Sequence, residues 1–294
     1  MYEPQTVLQK LREERQYRSL ETFPRSGAKF AGPDEGQILS FCSNDYLNLS
    51  RHPELTNAAL YAIQHYGCGA GSSRLLSGHL EIHRELEERL ASWSGAYEAA
   101  LIFGSGYLAN CGVLQAVLEP NARVLFDRLN HASLVDGLRL ASGLRASSLH
   151  WERYRHGDMA DLERRLKRLV TEGEQPIWVI SDSVFSMDGD TAPLHRLAEL
   201  SDKYRFRWIV DEAHAVGIYG PTGAGLVQEL ALEVCAGNTP PLRLPDFVTA
   251  NFAKALGSYG GYCLCSGEWK EYLVNFSRSL IYSTGLPPAS AAAA

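Results

Sequence analysis

Long apolar runs, an excess of basic residues and paired cysteines are all missing from this chain. No stretch of about 18 apolar residues occurs, so the sequence predicts no membrane-spanning helix. The first residues lack the apolar core of a secretory leader, and the expectation is a cytoplasmic protein. Acidic residues outnumber basic ones by 34 to 28, a net charge of −6, which argues against a general nucleic-acid surface. The six cysteines (42, 68, 111, 235, 263 and 265) are scattered. Cys263 and Cys265 stand too close for a zinc knuckle, and no second pair follows. The cysteines read as buried thiols in a reducing compartment, and no metal is expected. There is no internal repeat, and no low-complexity tract apart from the terminal alanines.

What remains is the composition of a soluble globular enzyme. The 294 residues are 45% hydrophobic and 21% charged, enough for one large core with appendages. Residues 4–20 read as an amphipathic helix, and residues 24–37, with two prolines and three glycines, as a loop. Residues 38–42 read as a short strand. A helix is expected over 52–65, with Pro53 at its start. Residues 67–74 are glycine-rich but follow no strong strand, so they read as a flexible loop carrying Arg74 rather than a dinucleotide fingerprint.

From residue 81 onward helices and strands alternate. Helices are expected over 81–93, 158–171 and 194–204, with a helical pattern running through Leu118 after the glycine turn in 104–110 and a helix or turn over 131–142; Asp158 is a candidate cap. Strands are expected over 99–103, 123–127, 177–181 and 208–210. Such alternation predicts a largely parallel sheet covered on both faces, with ligands beyond the carboxyl ends of its strands. Ser105, His131, Ser186, Asp211, His214 and Lys254 all fall at those ends.

Their chemistry suggests one cofactor. Lys254 stands among small residues and is followed by Gly-Ser-Tyr-Gly-Gly, so a flat molecule could lie against it. Partial desolvation of the amine would help it form a Schiff base. The turn Ser105-Gly106-Tyr107 leads from strand to helix, an arrangement ready to hold an anion. Asp211 could sit beside a ring nitrogen and keep it protonated, as pyridoxal 5'-phosphate (PLP) requires. His131 could stack on the ring, and His214 and Ser186 could hydrogen-bond its phenolic oxygen. Taken singly, each has an ordinary structural explanation as a cap, a turn residue or a buried histidine.

The chain also resembles the α-oxoamine synthase family. The resemblance rests on Ser43-Asn44-Asp45-Tyr46-Leu47, Ser72-Ser73-Arg74-Leu75-Leu76-Ser77-Gly78, His83-Arg84-Glu85-Leu86-Glu87 and Asp127-Arg128-Leu129-Asn130-His131-Ala132-Ser133. It continues through Val184-Phe185-Ser186-Met187-Asp188-Gly189-Asp190, Asp211-Glu212-Ala213-His214 and Ile281-Tyr282-Ser283-Thr284-Gly285-Leu286-Pro287-Pro288. The resemblance implies an α/β, aspartate-aminotransferase-like (fold type I) PLP-dependent transferase, with a mostly parallel central sheet and helices on both faces. It implies a homodimer with its site at the subunit interface. Lys254 would hold the cofactor as a Schiff base and later remove the substrate's α-proton. Gly106 and Tyr107 would hold the phosphate through backbone N–H groups, and Thr284 would reach it from the other subunit. Arg18 and Asn44 would contact substrate.

Within the family, the motifs favour the branch that condenses L-alanine with a pimeloyl thioester of coenzyme A or acyl carrier protein. That acyl transfer releases carbon dioxide and free thiol and yields 8-amino-7-oxononanoate for biotin synthesis. Siblings that use glycine or serine, and an inactive PLP-binding remnant, are the alternatives; a nicotinamide dehydrogenase is a weaker one. Two departures stand out. Asn251 occupies a position where the family has a phosphate-binding threonine, and Ala253 one where it has serine or glycine. The chain also stops at Ala294, whereas the family continues into a smaller C-terminal domain of roughly a hundred residues. The expected organisation is an N-terminal arm over 1–40, a large cofactor domain over 41–286, and over 287–294 the start of a linker to that domain.

Overall fold

Strands that are apolar along most of their length need cover on both faces, and six of the seven strands of one sheet obtain it, one edge strand excepted. A computed structural model describes residues 3–20, 22, 25–26, 29–31, 37–144, 149–174, 176–235 and 242–294. The chain forms two compact units, Met1–Ser43 and Asn44–Ala294.

The N-terminal unit holds α1 (Pro4–Glu13) and a small antiparallel sheet of β1 (Arg25–Ser26), β2 (Lys29–Ala31) and β3 (Gln37–Leu39). Two expectations are corrected here. The helix stops seven residues before residue 20, because Arg15 turns to φ +56° and the N–H groups of Gln16 and Tyr17 fold back onto the Leu11 carbonyl. The segment read as a loop contains strands, whose pairing at two or three residues each is too short to leave a periodic signal.

The second unit runs α2 (Pro53–Tyr66), α3 (Glu81–Ser94), β4 (Ala99–Phe103), α4 (Gly106–Val117), β5 (Arg123–Asp127), α5 (Ala132–Leu144), β6 (His150–Tyr154), α6 (Met159–Thr171) and β7 (Ile177–Asp182). It continues with α7 (Leu194–Tyr204), β8 (Arg207–Asp211), α8 (Leu226–Cys235), β9 (Phe247–Asn251), β10 (Gly261–Cys265), α9 (Gly267–Phe276), α10 (Arg278–Ile281) and α11 (Pro288–Ala293). The strand order is β4-β10-β9-β8-β7-β5-β6, and β10 alone runs antiparallel.

Successive residues of a strand face opposite ways, so the sheet divides the core in two. Ala100, Ile102, Leu125, Ile177 and Val179 pack on one face, and Leu101, Phe103, Phe126, Trp178 and Ile180 on the other. Helix α4 is buried along most of its length and points its first turn at the carboxyl edge of the sheet.

The loop carrying Arg74 is pinned rather than flexible. Arg74 Nη1 lies 2.7 Å from Glu87 Oε1 and donates to the Ile102 carbonyl at 3.1 Å. Glu87, 4% exposed, also accepts from the Ile102 N–H at 2.9 Å and from Lys270 Nζ at 2.8 Å. His83 is fully buried; its Nδ1 accepts from the Leu80 N–H, so its Nε2 donates to the Leu286 carbonyl, 2.7 Å away. The cysteine reading is corrected too: Cys111, Cys263 and Cys265 are buried, but Cys42, Cys68 and Cys235 are exposed and all six are free. No helix among the described residues is long and apolar enough to cross a membrane.

Candidate active site

The carboxyl ends of β4, β5, β7, β8 and β9 open into one cavity of about 220 Å³. Its lining includes Asn44, Ser105, Gly106, Tyr107, His131, Asp211, His214, Asn251 and Lys254. Two expected site residues of the same unit lie outside it. Ser186 is exposed on the loop after β7, and it is Val184 and Asp182 that face the cavity. Thr284 is exposed and bridges to Ser73. Arg18 is exposed in the N-terminal unit. A larger groove of about 410 Å³ between α3 and α11 is lined chiefly by apolar side chains and lacks the polar convergence of the smaller cavity.

Ser105 caps α4, accepting from the Leu108 N–H at 3.2 Å. That leaves the N–H groups of Gly106 and Tyr107 in the first turn, where the helix has no carbonyl for them and carries its positive end. The Tyr107 hydroxyl donates to Asp136 on α5 at 2.8 Å, and this bond, aided by burial, pushes its pKa up to about 12. A Cβ on Gly106 would stand 3.0 Å from Asn251 Cβ, and one on Gly261 would stand 2.4 Å from Gly106 N. Glycine at both positions lets β9 and β10 close around the helix end.

Asn251 Oδ1 accepts from the Ala253 N–H at 2.9 Å. Its NH2 end is therefore the free donor, 3.5 Å from where a Gly106 Cβ would stand. The amide is thereby turned toward the N-terminal end of α4.

Lys254 follows β9 on a tight turn and is part-buried. Burial lowers its pKa, while the charges of Asp211 and Asp182 pull the other way. Its Nζ lies 2.6 Å from His214 Nε2, and His214 Nδ1 lies 2.7 Å from the Tyr46 hydroxyl. Burial and then the Lys254 charge drive His214 down to about 4, so its ring is neutral near pH 7. An ammonium can only donate; Nε2 therefore accepts and the ring proton sits on Nδ1, given to Tyr46.

Asp211 ends β8 in register with Asp182, which ends β7. Two carboxylates at adjacent strand tips repel: burial, then the Asp211 charge, holds the Asp182 carboxyl well above the usual carboxylate range. Asp182 takes the His131 backbone N–H at 3.2 Å. Asp211 accepts from the Ala213 N–H at 2.8 Å and from Asn110 Nδ2 at 2.6 Å.

Sequence reasoning missed Asn110, Ser133 and Asp182, and it gave Tyr46 no role. Asp182 had a readable signal, an acid on a strand one residue past an apolar run. Asn110 had none, since it sits inside a helix most of whose residues are core.

A primary amine, a carboxylate and a helix N-terminus around a cavity of this size fit a single phosphorylated ring aldehyde. Such a set suits PLP and offers nothing specific to a larger dinucleotide.

Comparison with known proteins gives a consistent picture. The family described as aminotransferase class I and II matches residues 36–294. An 8-amino-7-oxononanoate synthase from Geobacter sulfurreducens is 44% identical over 287 residues, spanning 98% of this chain and 69% of that protein. One from Acidithiobacillus ferrooxidans is 45% identical over 281 residues, spanning 95% and 68%. Among solved structures, a Sphingomonas wittichii serine palmitoyltransferase superposes with a TM-score of 0.84 at 27% identity, over 99% of this chain and 69% of that one. An 8-amino-7-oxononanoate synthase from Francisella tularensis does so with a TM-score of 0.67 at 26% identity, over 86% and 66%.

Proposed function

The chain belongs to the aminotransferase class I and II family, and on that premise we propose how its cavity carries out the reaction of its 8-amino-7-oxononanoate synthase relatives. It is a PLP-dependent acyltransferase of biotin synthesis that condenses L-alanine with a pimeloyl thioester, releasing carbon dioxide and thiol. The observation that carries the reading is the shared cavity of a part-desolvated Lys254, the Asp211 carboxylate and the open end of α4.

PLP, once bound, supplies an aldehyde for an amine and a protonated ring that accepts electrons from the substrate's α-carbon. The remaining work falls to side chains. Gly106 and Tyr107 N–H groups and the Asn251 NH2 hold the phosphate at the helix end. Asp211, held by the Ala213 N–H and Asn110 Nδ2, would face the ring nitrogen. His131 would stack on the ring, and His214 would accept from its phenolic hydroxyl on Nε2, the nitrogen that faces Lys254. Lys254 binds the cofactor and then takes the α-proton onto Nζ; its lowered pKa raises the fraction of free amine at neutral pH. Asn44, at the cavity wall, contacts substrate. Thr284, exposed and outside its own chain's cavity, serves the phosphate of a partner subunit in a homodimer. Ser186 has the weakest case, since Val184 occupies the wall of the cavity where it would be needed.

The test loads the purified chain with PLP and supplies pimeloyl-coenzyme A with L-alanine, glycine or L-serine. Thiol release is followed with a thiol reagent. Release with alanine, lost in Lys254→Ala, is the expected result. Release only with glycine or serine would move the chain to a sibling activity, and PLP binding without release would mark a binding remnant.

A further inference from the structure

We propose that Asn110 is a positioning residue of this site, one carboxamide that holds the Asp211 carboxylate and, through Ser133, the ring of His131. The proposal rests on the roles given above to Asp211 and His131.

Asn110 lies one turn into α4 and is 3% exposed. Every polar atom of its side chain is engaged. Nδ2 donates to Asp211 Oδ2 at 2.6 Å and to Ser133 Oγ at 2.8 Å, and Oδ1 accepts from Thr249 Oγ1 at 2.6 Å. The flipped amide would set a carbonyl oxygen 2.6 Å from a carboxylate oxygen, so the charge on Asp211 fixes its orientation. The Thr249 hydroxyl on β9 then locks the other end.

Ser133 passes the order on. Its oxygen accepts from Asn110, so its own hydrogen is left for His131 Nδ1, 2.7 Å away. The Ser133 backbone N–H, which can only donate, reaches the same nitrogen at 3.3 Å. With two donors aimed at it, Nδ1 is unprotonated and the ring proton sits on Nε2. One buried amide thus holds the Asp211 carboxylate and, through Ser133, fixes the tautomer and tilt of the His131 ring. Two groups that the sequence separates by 80 residues are tied to α4, the helix whose first turn receives the phosphate.

The experiment uses the full chain titrated with PLP. The dissociation constant, the pH midpoint of the bound cofactor's visible absorbance and the melting temperature are measured for Asn110→Ala, Thr249→Val, Asp211→Asn and the Asn110→Ala/Asp211→Asn double variant. Asn110→Ala should weaken PLP binding about tenfold and move the pH midpoint, as loss of a bond to a charged group does. Thr249→Val, which removes a single hydroxyl, should move both the same way by less; it carries the test alone if Asn110→Ala does not fold. In the Asp211→Asn background, Asn110→Ala should cost less than about twofold, because the two act as a unit. Equal losses in both backgrounds, or an unmoved midpoint in the folded variants, would overturn the proposal. A shifted Asp211→Asn beside unshifted Asn110→Ala and Thr249→Val would overturn it alone, whereas an unshifted Asp211→Asn would remove the reading of the site as well.

Discussion

Gly261→Ala joins the fold to the site in one methyl group. Gly261 begins β10, and a Cβ there would stand 2.4 Å from Gly106 N and 2.5 Å from both the carbonyl carbon and the oxygen of Ser105. All three are backbone atoms at the cap of α4, so no side chain can rotate away. Ordinary carbon contacts lie near 3.5 Å, so either β10 or the helix end must retreat by about 1 Å. Overpacking of this kind costs about 1–3 kcal/mol, or roughly 2–6 °C in melting temperature for a domain of this size. The same shift opens the cradle built from Gly106, Tyr107 and Asn251, where a 1 Å error costs on the order of a hundredfold in rate. Thermal melts and PLP titration would be read together, with Gly267→Ala as control, since its Cβ would meet nothing nearer than Glu98 Oε2 at 3.6 Å. The expected outcome is a lower melting temperature and at least about tenfold weaker PLP binding for Gly261→Ala alone. Wild-type binding and melting in that variant would refute the claim that β10 closes the phosphate cradle.

Glu87→Gln would leave Arg74 and Lys270 facing a neutral amide in a nearly dry site, at about 3–5 kcal/mol or on the order of 10 °C in a thermal melt, while exposed Glu88→Gln should change little. Equal melts for the two variants would contradict the buried role of Glu87. Burial, against the pull of the Val227 N–H, pushes the Glu212 carboxyl up to about 8 from its usual 4.5. A raised folded-state pKa gives stability present below 4.5 and lost as pH rises through 8. His214, driven down to about 4 from 6.5, acts the other way, losing stability only as pH falls below 6.5. Melts between pH 6.5 and 8.5 lie above the His214 window: the melting temperature should fall as Glu212 ionises, together with Asp182 whose carboxyl is also held high, and Glu212→Gln should make the fall shallower.

The sequence was readable where burial is uniform. Strands β4, β5, β7 and β8 are unbroken or nearly unbroken apolar runs, and α7 has the same bounds in the sequence reading and in the structure. Strand β6 was missed because His150-Trp151-Glu152-Arg153-Tyr154 lies at the sheet edge, where three charged or polar residues are tolerated on five positions. Strand β10 was passed over because its glycine start looked like more of the loop after Lys254, and α8 because nothing beside it marked a cap. In the candidate site, residues on strand tips and turns were legible, since a charged or glycine residue interrupts an apolar run there. Asn110 and Ser133 were not, because their partners Asp211, Thr249 and His131 lie near in space rather than along the chain. Ser186 was overread: it shares a loop with Val184 but faces solvent.

The central claim, that the amine on the turn after β9 is the one that takes the cofactor, has a direct chemical readout. The chain loaded with PLP would be reduced with borohydride, digested and mapped by mass spectrometry. The account predicts a pyridoxyl group on Lys254, absent in Lys254→Ala. A label on Lys203 or Lys270 with Lys254 unmodified would contradict it.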